Sequence, residues 1–400
     1  MEWGSLLLRW VHVIAGIAWI GSSFYFMHLD AALKPTPEIP EGKGGAAWEV
    51  HGGGFYQVRK WLVAPDQLPS EMMWHKWESY STWISGFCLL MWIYYIGADL
   101  YLIDPAIRPL SAPMAALFGI GGLALGWIVY DALCKSPLKN NVVALGIVGF
   151  AFIVAVAWGF QQIFSARGAL LHTGALMATI MSGNVFFIII PNQKKIIADL
   201  TAGKAADPAL GKAGKTRSTH NNYLTLPVLF LMLSTHYPMI YGTPYAFVIV
   251  GLVLVAGAVI RHFYNERHAG RGNLWWTWGV AAVALAIAAL ISASSSPGAR
   301  QQLGWSKLPR EKKLASALVI PEAVDGILTT RCSMCHARDP AWSGIAVPPK
   351  GVRLDVPDHI WRNREGIKLF AVMTHAMPPN NITQMTAEER RTLATWLAKL

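Results

Sequence analysis

The residues with the clearest chemistry lie near the end of the chain, in the segment RCSMCHA at 331–337. Two residues separate Cys332 from Cys335, and His336 follows directly, which is the attachment pattern of a c-type haem. In that pattern each cysteine bonds one haem vinyl group, and the histidine lies beneath the iron as a ligand. A zinc site would need two more Cys or His nearby, and a redox CxxC would not need the histidine. The pattern therefore predicts one covalent haem c and the transfer of single electrons.

A second axial ligand to the iron should follow the motif. Met377 precedes two prolines, and this stiff loop could present its thioether to the metal. Iron held by His336 and Met377 has a raised potential, which suits an electron acceptor. Three rival ligands lack the two-proline support: Met373, His375 and Met385. After this loop, Thr386 and Glu389 predict a capping box at the start of a closing amphipathic helix.

The composition bounds the nature of the preceding residues. Hydrophobic residues make up 54% of the 400-residue chain and charged residues 14%, and the mean hydropathy is +0.35. Such values are typical of a polytopic membrane protein and exclude an ordinary soluble enzyme. Cys88 and Cys134 lie in apolar segments, so we expect them in the core and expect no disulfide framework.

Eight apolar segments are long enough to cross a bilayer. They lie at residues 4–29, 78–98, 113–134, 141–164, 168–191, 221–239, 244–263 and 273–294. We therefore predict an all-α fold with three parts. These are an eight-helix transmembrane bundle over residues 1–295, a polar linker over 296–317, and a small class I-like cytochrome c domain over 318–400.

The orientation in the membrane follows from two arguments that agree. Haem c is attached outside the bacterial cytoplasmic membrane, so the C-terminus should be periplasmic, and eight spans place the N-terminus there too. Lys and Arg concentrate in the loops that this topology makes cytoplasmic, whereas the periplasmic connections carry Arg108 and Arg167. The formal net charge of +11 thus indicates orientation in the bacterial inner membrane rather than nucleic-acid binding.

Three histidines fall towards the predicted periplasmic ends of spans: His12, His172 and His236. Ionisable residues inside a bilayer are costly and usually face a bundle interior or a site. A pair of them could hold a haem b, and His12 with His172 is the first pair to consider because both should lie at a similar depth. For His28 and His268, near cytoplasmic ends, we prefer an interfacial or hydrogen-bonded role.

The first long loop combines glycines, aromatic rings and positive charge. Its three consecutive glycines at 52–54 could turn backbone N–H groups towards an anion. Rings beside cations suit a flat, anionic heteroaromatic substrate. The alternative is a loop that packs its aromatic residues at the lipid headgroups. The candidate substrate-binding residues are Gly53, Gly54, Phe55, Tyr56, Trp74, Lys76, Asn221 and Asn222.

Several stretches together resemble the bacterial membrane-bound urate oxidase (urate hydroxylase) family. They are LLLRWVHVIAGIAWIGSSFYFMHLD, EVHGGGFYQVRKW, HKWESYSTWISGF, STHNNYLTLPVLFLMLSTHYP and the terminal RCSMCHA and AMPPNNIT. The resemblance covers essentially the whole chain. It implies oxidation of urate to 5-hydroxyisourate, with electrons leaving through cytochrome c to a downstream cytochrome or terminal oxidase and without formation of hydrogen peroxide.

Urate is planar, anionic and easily oxidised, and loss of a further proton favours its oxidation. His75 is the preferred proton acceptor because Lys76 and Glu78 flank it. His51 is the second choice, and Lys60 is a third candidate catalytic residue. Two other classes of function remain open. One is a membrane subunit that oxidises quinol or serves a partner dehydrogenase, and the other is a transporter with an accessory cytochrome.

Overall fold

The computed structural model describes residues 2–62, 68–69, 71–104, 107–295, 319–343, 345, 348–349 and 352–400. Most of these residues are helical. The helices before residue 295 are α1 (Glu2–Ala32), α2 (Trp77–Leu90), α3 (Ala98–Tyr101), α4 (Ala112–Lys135), α5 (Val142–Gln161), α6 (Ala166–Gly183), α7 (Ile190–Thr201), α8 (Pro208–Ser234), α9 (Pro238–Tyr241), α10 (Ala246–His268) and α11 (Trp276–Ser294). A π-helical turn at Met91–Tyr95 extends α2, and another at Asn184–Ile189 joins α6 to α7.

Helices occupy all eight positions predicted for membrane spans. Within the described residues, six helices are long and apolar enough to cross a membrane: Trp3–Ala32, Ala112–Lys135, Val142–Gln161, Ala166–Thr201, Ala246–His268 and Trp276–Ser294. The other two predicted spans fall on α2, whose α-helical part ends at Leu90, and on α8, whose first half is polar. The chain is therefore a multi-pass membrane protein, with six of the eight predicted spans supported by length and hydropathy.

The all-α prediction was wrong in one respect, because the first long loop contains a β-hairpin. Strands β1 (Gly44–His51) and β2 (Gly54–Trp61) pair in antiparallel fashion, and His51 lies opposite Gly54. Gly52 and Gly53 form the turn with φ angles of 59° and 81°. Both residues of such a two-residue turn need positive φ, which glycine adopts without strain.

The hairpin is fixed to the membrane bundle by polar contacts to α1. Lys60 of β2 forms an ion pair with Asp30, and the Tyr25 hydroxyl donates to Glu49 Oε2 at 2.6 Å. Lys215 of α8 pairs with the same Asp30. Asp30 thus joins the hairpin to two helices at one end of the bundle.

Helices α1 and α2 run antiparallel beside each other. Near the start of α1, Gly4 lies against the ring of Trp92. Near the end of α1, the Phe26 ring lies 5.0 Å from the ring of His75, just before α2 begins. His75 therefore lies at the end of this helix pair that is predicted to be cytoplasmic, and Trp92 lies at the end that is predicted to be periplasmic.

Residues from 320 onwards form a second unit with its own apolar core. Its helices are α12 (Glu322–Ile327), α13 (Ser333–His336), α14 (Pro357–Arg362), α15 (Arg364–Ile367) and α16 (Ala387–Leu397). Leu328, Leu393 and Trp396 lie in this core. The capping box of Thr386 and Glu389 is confirmed in both directions at the start of α16. The predicted linker at 296–317 lies outside the described residues.

This C-terminal unit contacts the bundle beside α3. Its turn at Pro379–Asn381 touches α3, and Ala376 packs against an apolar cluster that includes Leu231 and Tyr241. Arg390 lies close enough to Asp104 for electrostatic attraction. The unit therefore meets the bundle at the end opposite to His75.

Candidate functional site

The two cysteines and the histidine of the C-terminal motif lie on adjacent helical turns. Cys332 ends a π-helical turn at Leu328–Cys332, and Cys335 and His336 lie on α13. Both cysteines are free thiols. Burial raises the pKa of Cys332 to about 12 and also raises the pKa of Cys335. Both side chains are therefore thiols at neutral pH, the form in which they could add to haem vinyl groups.

The imidazole of His336 is oriented by the backbone. Its Nδ1 donates to the carbonyl oxygen of Val352 at 3.0 Å, which leaves Nε2 to face a metal, as second-shell bonds do for many ligand histidines. The Leu354 N–H donates to the His336 carbonyl at 2.6 Å, and the Ser333 hydroxyl donates to the Leu354 carbonyl at 2.8 Å. Two thiols beside one oriented imidazole fit the donor set of haem c.

The zinc alternative lacks further ligands in the described part of the chain. There, no group of three or more His, Cys, Asp and Glu side chains could hold a metal ion. A structural zinc site needs four such ligands in tetrahedral arrangement.

The candidate second ligand, Met377, lies on a loop that α16 holds. Arg390 donates to the carbonyl oxygens of Ala371 and Met377, and to Asn381 Oδ1. Met377 is 36% exposed, whereas the rivals Met373 and Met385 are 4% and 3% exposed. Burial lowers the pKa of the third rival, His375. Met377 therefore remains the accessible thioether on this loop.

The residues predicted to bind or transform the substrate are not gathered into one cavity. The glycine run forms the hairpin turn, and His51, Phe55 and Tyr56 are exposed on the hairpin. Lys60 is held by Asp30. His75 Nδ1 lies 2.9 Å from Glu78 Oε1, outside the hairpin.

The remaining predicted substrate residues occupy three other places. Lys76 lies over the ring of Trp74 at 5.8 Å. Asn221 is buried in the bundle, where its Nδ2 donates to the Met181 carbonyl at 2.9 Å. Asn222 is fully buried and accepts a hydrogen bond from Arg261 Nε at 2.6 Å.

A cavity of about 410 Å³ opens where α1 and α10 meet. It is lined by Phe24, Tyr25, His28, Arg261, Tyr264 and His268. The rings of His28 and His268 stack with centres 4.1 Å apart, and the Arg261 guanidinium lies over the Phe24 ring at 4.1 Å. The sequence predicts an interfacial or hydrogen-bonded role for these two histidines and no role for Arg261. The sequence does contain a signal for this cavity. Arg261, Tyr264 and His268 are three and four residues apart, so they lie on one face of α10.

A second buried arginine belongs to a closed polar network at the same end of the bundle. Arg217 donates to Asp131 Oδ1 at 2.5 Å and to Asn184 Oδ1 at 3.1 Å. Asn184 in turn donates to the Tyr130 hydroxyl at 3.0 Å, and that hydroxyl lies 2.7 Å from His220 Nδ1. Each charged member has a charged or amide partner, so this network joins α4, α8 and the π-helical turn that follows α6.

The three histidines proposed for a haem b lie in three environments. His12 Nδ1 donates to the Thr82 carbonyl at 3.0 Å. His172 is fully buried; its Nδ1 donates to the Gly168 carbonyl at 2.8 Å, and the Tyr95 hydroxyl lies 3.1 Å from its Nε2. His236 is exposed after the end of α8.

His12 and His172 therefore do not face one iron. They contact α2 and its extension at Thr82 and Tyr95, which are separated by more than three helical turns, or roughly 15–20 Å. Each packs against a glycine of a neighbouring helix, His12 against Gly86 and His172 against Gly119. The contacts of His12 and His172 therefore do not support a single haem b bracketed by this pair.

Comparison with known proteins gives one match. Residues 1–292 match the family model described as "Urate oxidase N-terminal". No curated protein matches the chain, and neither does any solved structure.

Proposed function

Because the chain belongs to the urate oxidase N-terminal family, we propose that it oxidises urate at the membrane and passes the electrons to a haem c in its C-terminal unit. One observation carries this proposal. The family match ends at residue 292, and the same polypeptide then supplies a CxxCH motif with an oriented histidine. A urate-oxidising domain is thus joined covalently to an electron acceptor.

The proposed reaction is balanced without oxygen as a reactant. The urate monoanion and one water give 5-hydroxyisourate, one proton and two electrons. Haem c, when bound at Cys332, Cys335 and His336, supplies one-electron acceptance. Two successive transfers to a downstream cytochrome or terminal oxidase then complete one turnover, and no hydrogen peroxide forms.

The protein's part in this chemistry is to bind urate and accept its proton. His75, 2.9 Å from Glu78, is the proton acceptor that we propose from the sequence, with His51 as the second choice. Glu78 would form an ion pair with the His75 imidazolium after proton transfer. His75→Gln should therefore slow turnover more than His51→Gln does.

Electrons must travel along the bundle, because the C-terminal unit contacts α3 whereas His75 lies at the other end of α2. We propose that a non-covalent haem in the membrane domain shortens this distance, with His12 as its candidate ligand. Nδ1 of His12 is held by Thr82, and its Nε2 has no hydrogen bond among the described residues. Acidic acetone should extract haem from the full-length protein, less of it from His12→Ala, while haem c stays attached.

Anaerobic mixing of urate with the purified, oxidised protein tests the function. Rapid appearance of the reduced haem c band, two haems reduced per urate consumed, is the expected result. Ascorbate serves as the control that the haem is reducible. Reduction by ascorbate and by quinol, with none by urate, would overturn the proposal in favour of a quinol-oxidising electron-transfer subunit.

We also propose that the protein lies in the bacterial inner membrane with both termini in the periplasm. The asymmetry of Lys and Arg between loops supports this orientation. A reporter inserted near residue 205 should be cytoplasmic, and one after residue 400 should be periplasmic. The opposite pattern would invert the predicted sides of the bundle.

A further inference from the structure

We propose that the cavity between α1 and α10 binds the planar urate anion, with Arg261 as the group that neutralises its charge. This inference rests on the proposed oxidation of urate and names the place where urate binds. The cavity of about 410 Å³ is within the range of ~300–1,000 Å³ usual for small-molecule sites.

Arg261 carries a buried positive charge. Its side chain is only 6% exposed, and no ion pair within the described residues includes it. The carboxylates nearby in sequence on the two helices are engaged elsewhere, because Glu266 pairs with Arg271 and Asp30 pairs with two lysines. A buried guanidinium without a counter-ion is costly. An anionic ligand in the cavity would remove that cost.

Arg217, at the same end of the bundle, is a buried arginine that does have a counter-ion. Arg217 is equally buried, at 5% exposure, but it pairs with Asp131. Of the two buried arginines at this end of the bundle, Arg217 has a counter-ion and Arg261 has none among the described residues. A positive charge without a counter-ion is what anion binding requires. Of these two arginines, Arg261 is the one that borders the cavity.

Flat groups line the cavity. Phe24 already has one flat cation, the Arg261 guanidinium, over its ring at 4.1 Å. The stacked rings of His28 and His268 form a second flat surface, and the angle between the two ring planes is 22°. Planar heteroaromatic ligands stack on such faces, and imidazoles can also hydrogen-bond to ring nitrogens and carbonyls.

Asn222 holds the Arg261 guanidinium in place. Its Nε donates to Asn222 Oδ1 at 2.6 Å, and Asn222 Nδ2 is 3.4 Å from Asn265 Oδ1. With Nε engaged, the two Nη groups are the part of the fork available to a ligand. A guanidinium held in this way can donate two parallel hydrogen bonds to a carbonyl and a deprotonated ring nitrogen. Asn222 is then a positioning residue that acts through Arg261.

The test measures the urate dependence of anaerobic haem c reduction together with equilibrium binding of xanthine, a planar analogue with the same ring system. Arg261→Gln should raise the half-saturating urate concentration at least tenfold and weaken xanthine binding by a similar factor. Arg261→Lys, which keeps the charge but not the fork, should fall between wild type and Gln. Arg267→Gln, exposed on the same helix, is the matched control and should leave both values unchanged.

The outcomes separate this inference from the proposed function. If urate reduces haem c in Arg261→Gln with wild-type half-saturation, the site is wrong and the function stands. If wild-type protein binds xanthine through Arg261 but urate never reduces an ascorbate-reducible haem, the urate assignment fails together with the function. An unchanged haem c spectrum on ascorbate reduction and an unchanged gel-filtration profile exclude misfolding of the variant.

A phosphate of a lipid headgroup could also neutralise Arg261. The amount of phospholipid that co-purifies with wild type and with Arg261→Gln distinguishes a lipid phosphate from urate as the anion at Arg261. Loss of bound anionic lipid in the variant, with wild-type urate and xanthine binding, would overturn the inference. Equal lipid content with weakened xanthine binding would support it.

Discussion

Arg390 Nη1 donates to the carbonyl oxygen of Met377 at 2.9 Å. The same guanidinium holds the carbonyl of Ala371 and, through Nη2, Asn381 Oδ1 at 3.0 Å. One side chain on α16 thus fixes three points of the loop that carries the candidate iron ligand.

Removal of this charge should loosen the loop without detaching the haem. For Arg390→Gln we expect covalent haem at the wild-type level, a lower potential, and a loss of about 1.5–3 kcal/mol in stability for each charged hydrogen bond that is not replaced. Redox titration and urea unfolding measure these quantities. Arg391→Gln, exposed on the same helix, should behave as wild type; an equal fall in potential in both variants would contradict a specific role for Arg390.

Replacement of the ligand itself gives a second prediction. Met377→Ala should keep the covalent haem but lower its potential and slow the exit of electrons, because a thioether ligand favours reduced iron. Met373→Ala, which removes a buried methionine from the helical turn at Lys368–Met373 just before this loop, should affect stability more than potential. A Met377→Ala protein with unchanged spectrum and potential would assign the ligand to another residue.

The Arg217 network gives a prediction about the bundle. Arg217→Gln should destabilise the membrane domain by about 3–5 kcal/mol, because it leaves the Asp131 carboxylate without its buried partner. Lys135 also pairs with Asp131, but its side chain is 66% exposed, so Lys135→Gln should cost no more than ~1 kcal/mol. Thermal unfolding in detergent measures both. Equal losses in the two variants would show that burial does not set the strength of these pairs.

Asp355 gives the pH dependence of the C-terminal unit. Hydrogen bonds from Arg353 and from the Arg338 N–H lower the pKa of Asp355 from 3.8 to about 2. A carboxylate with a lowered pKa in the folded state stabilises that state above pH 3.8, and the contribution disappears as the pH falls through 2. Asp355→Asn should therefore destabilise the unit at neutral pH by no more than ~1 kcal/mol, since the pair is partly exposed, and the difference should vanish near pH 2.

The control for Asp355 is on the next helix. Asp358 pairs with Arg362, and both side chains are more than 60% exposed. Asp358→Asn should leave urea unfolding unchanged from pH 7 to pH 3. A pH-independent loss in Asp355→Asn would show that its hydrogen bonds matter but its charge does not.

Lys60 gives a test of a residue that the sequence assigned to catalysis. Since it pairs with Asp30, Lys60→Met and Asp30→Asn should have similar, small effects on urate-driven reduction, of about twofold or less. Arg59→Met, on the other face of the hairpin, is the matched control. A large loss of rate in Lys60→Met alone would restore its catalytic assignment.

The positions of the membrane helices were predictable from the sequence, because a helix that is buried in lipid must be apolar along most of its length. The hairpin was not recognised because Gly52 and Gly53 suit an anion-binding loop and a type I′ turn equally, and both conformations need positive φ. The haem motif was recognisable because its three functional residues are adjacent. The Arg261 cavity was not, because its two walls are more than two hundred residues apart in the chain and only contact between α1 and α10 unites them.

Gly86 and Gly119, which face His12 and His172, constrain how the sequence can diverge. A Cβ at Gly86 would lie 2.8 Å from the His12 ring, and one at Gly119 would lie 2.4 Å from the Tyr95 hydroxyl and 2.9 Å from His172 Nε2. Neither glycine can acquire a side chain while its histidine stays in place. A side chain at Gly86 should therefore follow a replacement of His12, and one at Gly119 should follow replacements of both His172 and Tyr95. In any descendant of this gene, a side chain at position 86 or 119 therefore marks a lineage in which the facing ring has already been replaced.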